Sequence, residues 1–246
     1  MFWNNIINKQ LLVAHRGYSS LYPENTMLAF EKALKKFDLV EFDVQFTKDG
    51  IAVILHDETL IRTSDILEIS QLDSKKTIYE FEYNQIKDLN MNYKNKIPKQ
   101  ILPKLSEFLD FANFHQMPFN LEIKDLKDSP YHNLATKIII DLLIDKKSED
   151  LALISSFNFE YIKQIREEND KIQLAALYTS KQKIDLDFLT KYKVNAVHTT
   201  QENITDNLIK QLHKNNIFIG VYTINEKEKR NSLFKRGINL IFTDNF

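Results

Sequence analysis

Two short stretches of the chain place polar residues, three acids among them, at every second position. Leu39-Val40-Glu41-Phe42-Asp43-Val44-Gln45-Phe46 alternates, so an extended backbone puts Val40, Phe42, Val44 and Phe46 on one face and Glu41, Asp43 and Gln45 on the other. Phe119 to Lys124 repeats the pattern, with Asn120, Glu122 and Lys124 opposite Phe119, Leu121 and Ile123. Acids two residues apart on a strand sit about 7 Å from each other. If both polar faces point into one interior, three acids and a lysine converge. Carboxylates gathered inside a protein repel and take up protons unless a cation offsets them, and hard oxygen donors with room for water suit Mg²⁺ or Ca²⁺. On a half-exposed sheet the same acids would simply face water.

Histidine supplies the second element. Of six, His15 ends an apolar run just before Arg16 and Gly17, and His56 ends another just before Asp57. Imidazoles with an ordinary pKa near ~6.5 can divide general-base and general-acid work between them. A lone histidine at a strand end is more often structural, but a pair beside an acid cluster reverses that reading. His198 also ends a run, with no motif around it, and His115, His132 and His213 read as helix surface or helix ends.

The elements that must position these side chains follow from the rhythm of the chain. Eight short apolar runs, at 11–14, 39–44, 119–123, 151–155, 172–177, 194–198, 217–222 and 239–243, alternate with helical patterns. The helices read at 26–37, 106–115, 131–145, 159–169, 205–215 and 226–236, with a weaker one at 185–191. Eight strands with helices between them predict a (β/α)8 TIM barrel, whose chemistry sits at the C-terminal ends of its strands. Helices covering one face of every strand leave the acids of Glu41, Asp43 and Glu122 on the inside. The chain stops three residues after Thr243, so no helix is expected after the eighth strand.

One segment breaks the rhythm. A further apolar run at 51–55 is followed by a polar stretch at 62–100, far longer than a βα loop of about 2–6 residues. This insertion after the second strand lies on the functional face and is expected to shape an entrance, with a short helix at 77–89.

Composition narrows the classes. The 246 residues are 43% hydrophobic and 27% charged, which excludes a disordered chain. Thirty-three Lys and Arg against 34 Asp and Glu leave a net charge of −1, so no global basic field draws nucleic acid. Without cysteine there is no disulfide, thiolate metal site or cysteine nucleophile. No run approaches the ~18 apolar residues of a membrane span, and the start lacks the basic and apolar regions of a signal peptide, so a cytoplasmic location is expected. The opening cluster of Met1, Phe2, Trp3, Ile6 and Ile7 reads as a segment packed on the barrel rather than a membrane foot. Only four glycines occur where usage of ~7% predicts about seventeen, so those kept are expected to be needed.

The motifs also carry a resemblance. His15-Arg16-Gly17, Pro23-Glu24-Asn25-Thr26, Glu41-x-Asp43, Thr47-Lys48-Asp49-Gly50, His56-Asp57, Arg62-Thr63 and Leu121-Glu122-Ile123-Lys124 resemble the signature of the glycerophosphodiester phosphodiesterases. The match is dense from 11 to 63, resumes at Leu102-Pro103-x-Leu105-x-Glu107, and touches Ser155-Ser156-Phe157, Thr223-x-Asn225 and Thr243-Asp244. Each string is short, but their order and spacing together are specific.

The resemblance implies the same barrel and a metal-dependent hydrolase that cleaves glycerophosphodiesters to sn-glycerol 3-phosphate and an alcohol. Carried over by position, Glu41, Asp43 and Glu122 hold one divalent cation, His15 and His56 form the catalytic pair, and Arg16 and Lys124 bind phosphate. It further implies attack by a hydroxyl of the substrate's own glycerol, giving a cyclic phosphate that water then opens. Tyr222 stands where relatives often have Trp and is expected to line the pocket; a glycine usual before the second strand is replaced near Lys36-Phe37. A nearer alternative is a lysophospholipase D, for which Ile78, Tyr79, Phe81 and Tyr83 would supply an apolar groove. A noncatalytic phosphodiester-binding barrel is the other, though such a chain should have lost one of the five ligands and histidines. The remaining signature has structural readings: Asn25 or Thr26 capping a helix, Glu24 bracing the His15 loop, Asp49-Gly50 as a two-residue hairpin turn, and Gly17 at a positive φ or close to phosphate.

Overall fold

The structure, a computed structural model, describes residues 2–3, 6–92, 97–180 and 182–246. The apolar runs become strands because each is bounded by turn residues and flanked by segments with a single apolar helical face. In chain order the strands are β1 (Leu11–His15), β2 (Leu39–Phe46), β3 (Ala52–Ile54), β4 (Phe119–Ile123), β5 (Ala152–Ser156), β6 (Gln173–Tyr178), β7 (Ala196–Thr199), β8 (Phe218–Val221) and β9 (Leu240–Thr243). The helices are α1 (Met27–Ala33), α2 (Tyr83–Ile86), α3 (Leu105–His115), α4 (Ala135–Lys146), α5 (Phe159–Glu168), α6 (Leu186–Lys191), α7 (Asp206–Lys214) and α8 (Lys227–Arg236).

All strands but β3 pair in parallel, and β1 pairs with both β2 and β9, so the sheet closes into an eight-stranded barrel with helices outside. The (β/α)8 architecture read from the sequence is the one observed. β3 is the extra run, paired antiparallel with β2 through Val44 and Ile54. The turn between them differs from the two-residue form. Thr47 N–H donates to Ile51 O and Gly50 N–H to Thr47 O, each at 3.0 Å, so Lys48, Asp49 and Gly50 make a three-residue loop. Gly50 takes the left-handed position that such a loop demands, at φ +79°.

Helix ends obey local chemistry. Thr26 caps α1 by accepting from Ala29 N–H at 3.3 Å, while Asn158, Asp185 and Thr205 cap α5, α6 and α7. The first helix stops at Ala33, short of 37, because Phe37 turns inward and packs edge-on against Tyr18 at 5.3 Å. Between barrel and helices the outward faces of β2 and β4 meet α1 and α3 in an aromatic cluster, with Phe42 lying 4.3 Å from Phe108 and 5.6 Å from Phe119.

Inside the barrel the lower end is filled by apolar side chains, including Val13, Leu39, Leu153 and Leu240. The opening segment seals it from below. Trp3, 3% exposed, stacks near Phe218 at 6.2 Å and donates its indole N–H to Leu151 O at 3.1 Å, with Ile6 buried beside it. The opening cluster is thus a plug and not a foot; Met1 lies outside the described residues.

The insertion builds its own small core from Leu60, Ile66, Ile78, Phe81, Tyr83 and Ile86. Instead of one helix at 77–89 there is a 3-10 turn at Ile78–Glu80 and then α2, separated by Phe81 and Glu82 in extended backbone. Burial of Phe81 and docking on the hairpin account for the break: Lys48 N–H donates to Phe81 O and Tyr83 N–H to Asp49 Oδ1. Ile78, Phe81 and Tyr83 are buried here, and Tyr79 is half-buried, so they form no groove for an acyl chain. Residues 93–96 of the insertion lie outside the described residues. Among the described residues no helix is long and apolar enough to cross a membrane.

Because the plug closes the barrel, Trp3→Ala should lower stability by about 3 kcal/mol, read as a fall in the urea midpoint at unchanged slope.

Candidate active site

The backbone turns just past the end of β1. Arg16 and Gly17 both have left-handed backbone, at φ 57° and 76°. A side chain at Gly17 would bring Cβ to 2.7 Å from Ala29 Cβ, so close helix packing rather than phosphate approach explains this glycine. The bend aims Arg16 N–H at Glu41 Oε2, 2.9 Å away. Asn25, also left-handed at φ 56°, donates its amide to Asp43 Oδ2 at 2.9 Å, leaving the capping role to Thr26.

Beneath these donors lie the acids. Glu41, Asp43 and Glu122 are at most 9% exposed, and one carboxylate oxygen from each lies within 4.8 Å of the others. Parallel register places Asp43 beside Glu122, with Glu41 one inward step deeper on the same strand as Asp43. Burial, and next the charge on Asp43, push the Glu41 carboxyl up to about 8. Burial and Asp43 likewise raise Glu122. Asp43 is held below the usual range in spite of its burial, because Lys124 and Arg16 stand over it at 3.5 Å each. Lys124 also reaches Glu122 at 2.8 Å. A cluster of buried oxygen donors that cannot all ionise unaided fits a hard divalent cation.

Both histidines are tethered by one nitrogen. His15 Nδ1 lies 2.7 Å from Asp244 Oδ1, just past the end of β9, and His56 Nδ1 lies 2.6 Å from Asp57 Oδ1. The aspartates are ionised. Burial works against charge on each, but His15 and Asn225 hold Asp244 at about 2, and Arg62 and His56 hold Asp57 at about 2. An ionised carboxylate only accepts, so Nδ1 carries the proton and Nε2 is left for other work. Burial disfavours charge on His15, yet the hydrogen bond to Asp244 and the field of Glu41 outweigh it and raise its pKa.

A charged chain ties the rim together. Arg62 grips Asp57 through Nε at 2.5 Å and Glu24 through Nη1 at 2.6 Å, and Glu24 in turn accepts from Arg16 Nη1 at 2.9 Å. Glu24 therefore holds the residue that follows His15 and links it to the insertion.

These groups surround a cavity of about 220 Å³ at the C-terminal mouth of the barrel. His15, Arg16, Glu41, His56, Glu122, Lys124 and Tyr222 line it, and Asp43 is buried beside Glu122 under Arg16 and Lys124. All eight residues singled out from the sequence thus meet at one site. Tyr222 offers its ring and not its hydroxyl, which donates to Tyr178 O at 2.8 Å. Sequence reasoning assigned no role to Asp244, Asp57 or Arg62, although each stood inside a quoted string; a carboxylate directly after a strand end or a histidine was the available signal. It also set aside His198, which lines the same cavity.

Comparison with known proteins identifies one family. Residues 15–246 match the family model of the glycerophosphoryl diester phosphodiesterase family. The chain is 28% identical over 239 residues to a glycerophosphodiester phosphodiesterase of Caldanaerobacter subterraneus subsp. tengcongensis, covering 96% of this chain and 94% of that one. It is 32% identical over 226 residues to an uncharacterised protein of Mycoplasma genitalium, covering 90% and 89%. Among solved structures, an Oleispira antarctica phosphodiesterase in complex with the product sn-glycerol-3-phosphate superposes with a TM-score of 0.82 at 24% identity, covering 95% of this chain and 92% of that one. A glycerophosphodiester phosphodiesterase from Parabacteroides distasonis gives 0.80 at 20%, covering 96% and 93%. These two likenesses concern the fold.

The acid trio generates a pH dependence. With Glu41 titrating at about 8 in the ion-free chain, the carboxyl is mostly protonated at neutral pH, so an incoming cation must displace its proton. Calorimetry in buffers of different ionisation heat should show about one proton released per ion bound near neutral pH, with affinity rising as pH climbs. Glu41→Gln should abolish the release.

Proposed function

Because the chain belongs to the glycerophosphoryl diester phosphodiesterase family, and is an enzyme of that kind, we propose that it hydrolyses soluble glycerophosphodiesters to sn-glycerol 3-phosphate and an alcohol by histidine acid–base catalysis assisted by one divalent cation. One observation carries the reading: two imidazoles, each anchored through Nδ1 to an ionised aspartate, border a single cavity above three buried acids.

Glu41, Asp43 and Glu122 are the residues that would hold the cation, Mg²⁺ or Ca²⁺; when bound it offsets phosphate charge and eases loss of a proton from a hydroxyl. Arg16 and Lys124 hold the phosphoryl oxygens. Both are drawn toward Asp43 and neighbouring acids, so their cations already point where a second anion arrives. One histidine takes the proton of the attacking hydroxyl at Nε2 while the other gives a proton to the departing alcohol oxygen. Attack by the substrate's own glycerol hydroxyl forms one P–O bond as the alcohol's P–O bond breaks, and water opens the resulting ring with the proton roles reversed. Tyr222 and Phe157, their rings 6.2 Å apart and edge-on, wall the cavity with apolar surface. The rigid tether of each imidazole keeps its free nitrogen aimed without requiring the substrate to organise it.

The test is direct. Protein stripped of metal is mixed with glycerophosphocholine, Mg²⁺ or Ca²⁺ is restored, and sn-glycerol 3-phosphate is followed. Turnover should depend on the ion, and His15→Ala and His56→Ala should each reduce kcat by about 10²–10⁴-fold while ion binding persists. Normal turnover by either variant would refute the acid–base assignment, and release of choline from singly acylated substrate alone would replace it with the lysophospholipase reading.

A further inference from the structure

The cavity has a floor as well as a rim, and the floor holds polar groups that the reaction above does not use. His198, on β7, is fully buried and lines the cavity. Neither of its ring nitrogens has a hydrogen-bond partner among the described residues. Asn120 lines the same cavity one inward step below Glu122 on β4. It gives its amide to Ser155 Oγ at 3.0 Å and leaves Oδ1 unbonded. Ala196, two residues before His198, belongs to the apolar fill of the lower barrel, so these groups sit directly above the plug.

The fold makes room for the imidazole at some expense. Gly220 is the register partner of His198, and a Cβ there would lie 2.6 Å from His198 Cδ2 and 2.8 Å from Phe242 Cε2. This glycine stands inside β8, where the residue weakens a strand. Phe242 meets the ring edge-on at 4.7 Å. A leucine would fill the same space with no polar atom left unpaired, and burying unpaired donors and acceptors is costly. The arrangement makes sense when a ligand completes it.

The chemistry of that ligand follows from the state of the ring. Burial alone holds His198 down at about 3, so the imidazole is neutral and offers one N–H and one lone pair. A hydroxyl also donates once and accepts. A phosphoryl oxygen, by contrast, belongs with Arg16 and Lys124 at the rim. Leu177 and Phe242, beside the two polar groups, suit carbon.

We propose that His198 and Asn120 form a floor that recognises the hydroxyl of the glycerol moiety farthest from the phosphate, which makes His198 a specificity-determining residue. This rests on the glycerophosphodiesterase reading above. The hydroxyl donates to one of the two free acceptors and accepts the imidazole N–H, and the glycerol carbons lie against Leu177 and Phe242.

The experiment compares two diesters of phosphoethanolamine, with ethanolamine release as the common readout. One carries glycerol; the other carries a 2-hydroxypropyl group, which keeps the hydroxyl beside the ester carbon and lacks the terminal one. Wild type should favour the glycerol diester by about 10–100-fold in kcat/KM. His198→Leu should bring the two within a few-fold by slowing the glycerol diester, and His198→Gln, which still donates and accepts, should retain more of the preference. A wild-type ratio near one overturns the proposal, whether or not the leucine variant folds, and so does a ratio that survives His198→Leu, as it would if the ring held only water. Turnover of neither diester by wild type overturns the function itself, and the floor's role with it.

Discussion

Three carboxylates share one buried space, and the rest of the upper barrel is organised around that repulsion. Glu41, Asp43 and Glu122 are largely withdrawn from water, so charge on them must be met by protein or by an ion, or removed by a proton. The protein meets part of it. Arg16 contributes a backbone N–H to Glu41, Asn25 an amide to Asp43, and Lys124 an ammonium to Glu122. Each of these donors is held in an uncommon position: Arg16 and Asn25 are left-handed, and Lys124 is one residue past the end of β4. Backbone strain of that kind persists where surrounding structure enforces it, as it does at functional sites. The part of the charge that the protein leaves unmet is what a divalent cation would offset.

The insertion takes part in this arrangement. It has its own apolar core, yet it is sewn to the barrel by Lys48 to Phe81 and by Asp49 to Tyr83 on one side, and by Arg62 to Glu24 on the other. Arg62 also fixes the aspartate that orients His56. Ion pairs with exposed partners contribute little stability. Their worth here is geometric, since five charged or imidazole side chains, from Arg16 to His56, are held in one continuous series.

Strand alternation made the acid faces of β2 and β4 readable, because a period of two is a local property and a closed barrel has only one interior. The mouth is legible from strand ends: His15 closes β1 and His56 lies two residues past β3. Fine structure in the insertion was not, because Phe81 is drawn into a core that exists only when the hairpin and residues far along the chain come together. Asp244 escaped notice since its partner lies 229 residues away, a separation that no spacing rule spans. No motif surrounds His198, and what marks it is the lack of a hydrogen-bond partner among the described residues, a property of the folded chain alone. Gly17 was read from its backbone, and its crowding against Ala29 emerged with the helix.

His15 and Asp244 meet across the seam between β1 and β9. The two stand 229 residues apart in the chain, while Ser19 reaches across to the same carboxylate. The imidazole therefore has no anchor until the ring of strands shuts, and its tether arrives together with topological closure rather than being assembled piecemeal. Completion of the ring and seating of the imidazole become the same event.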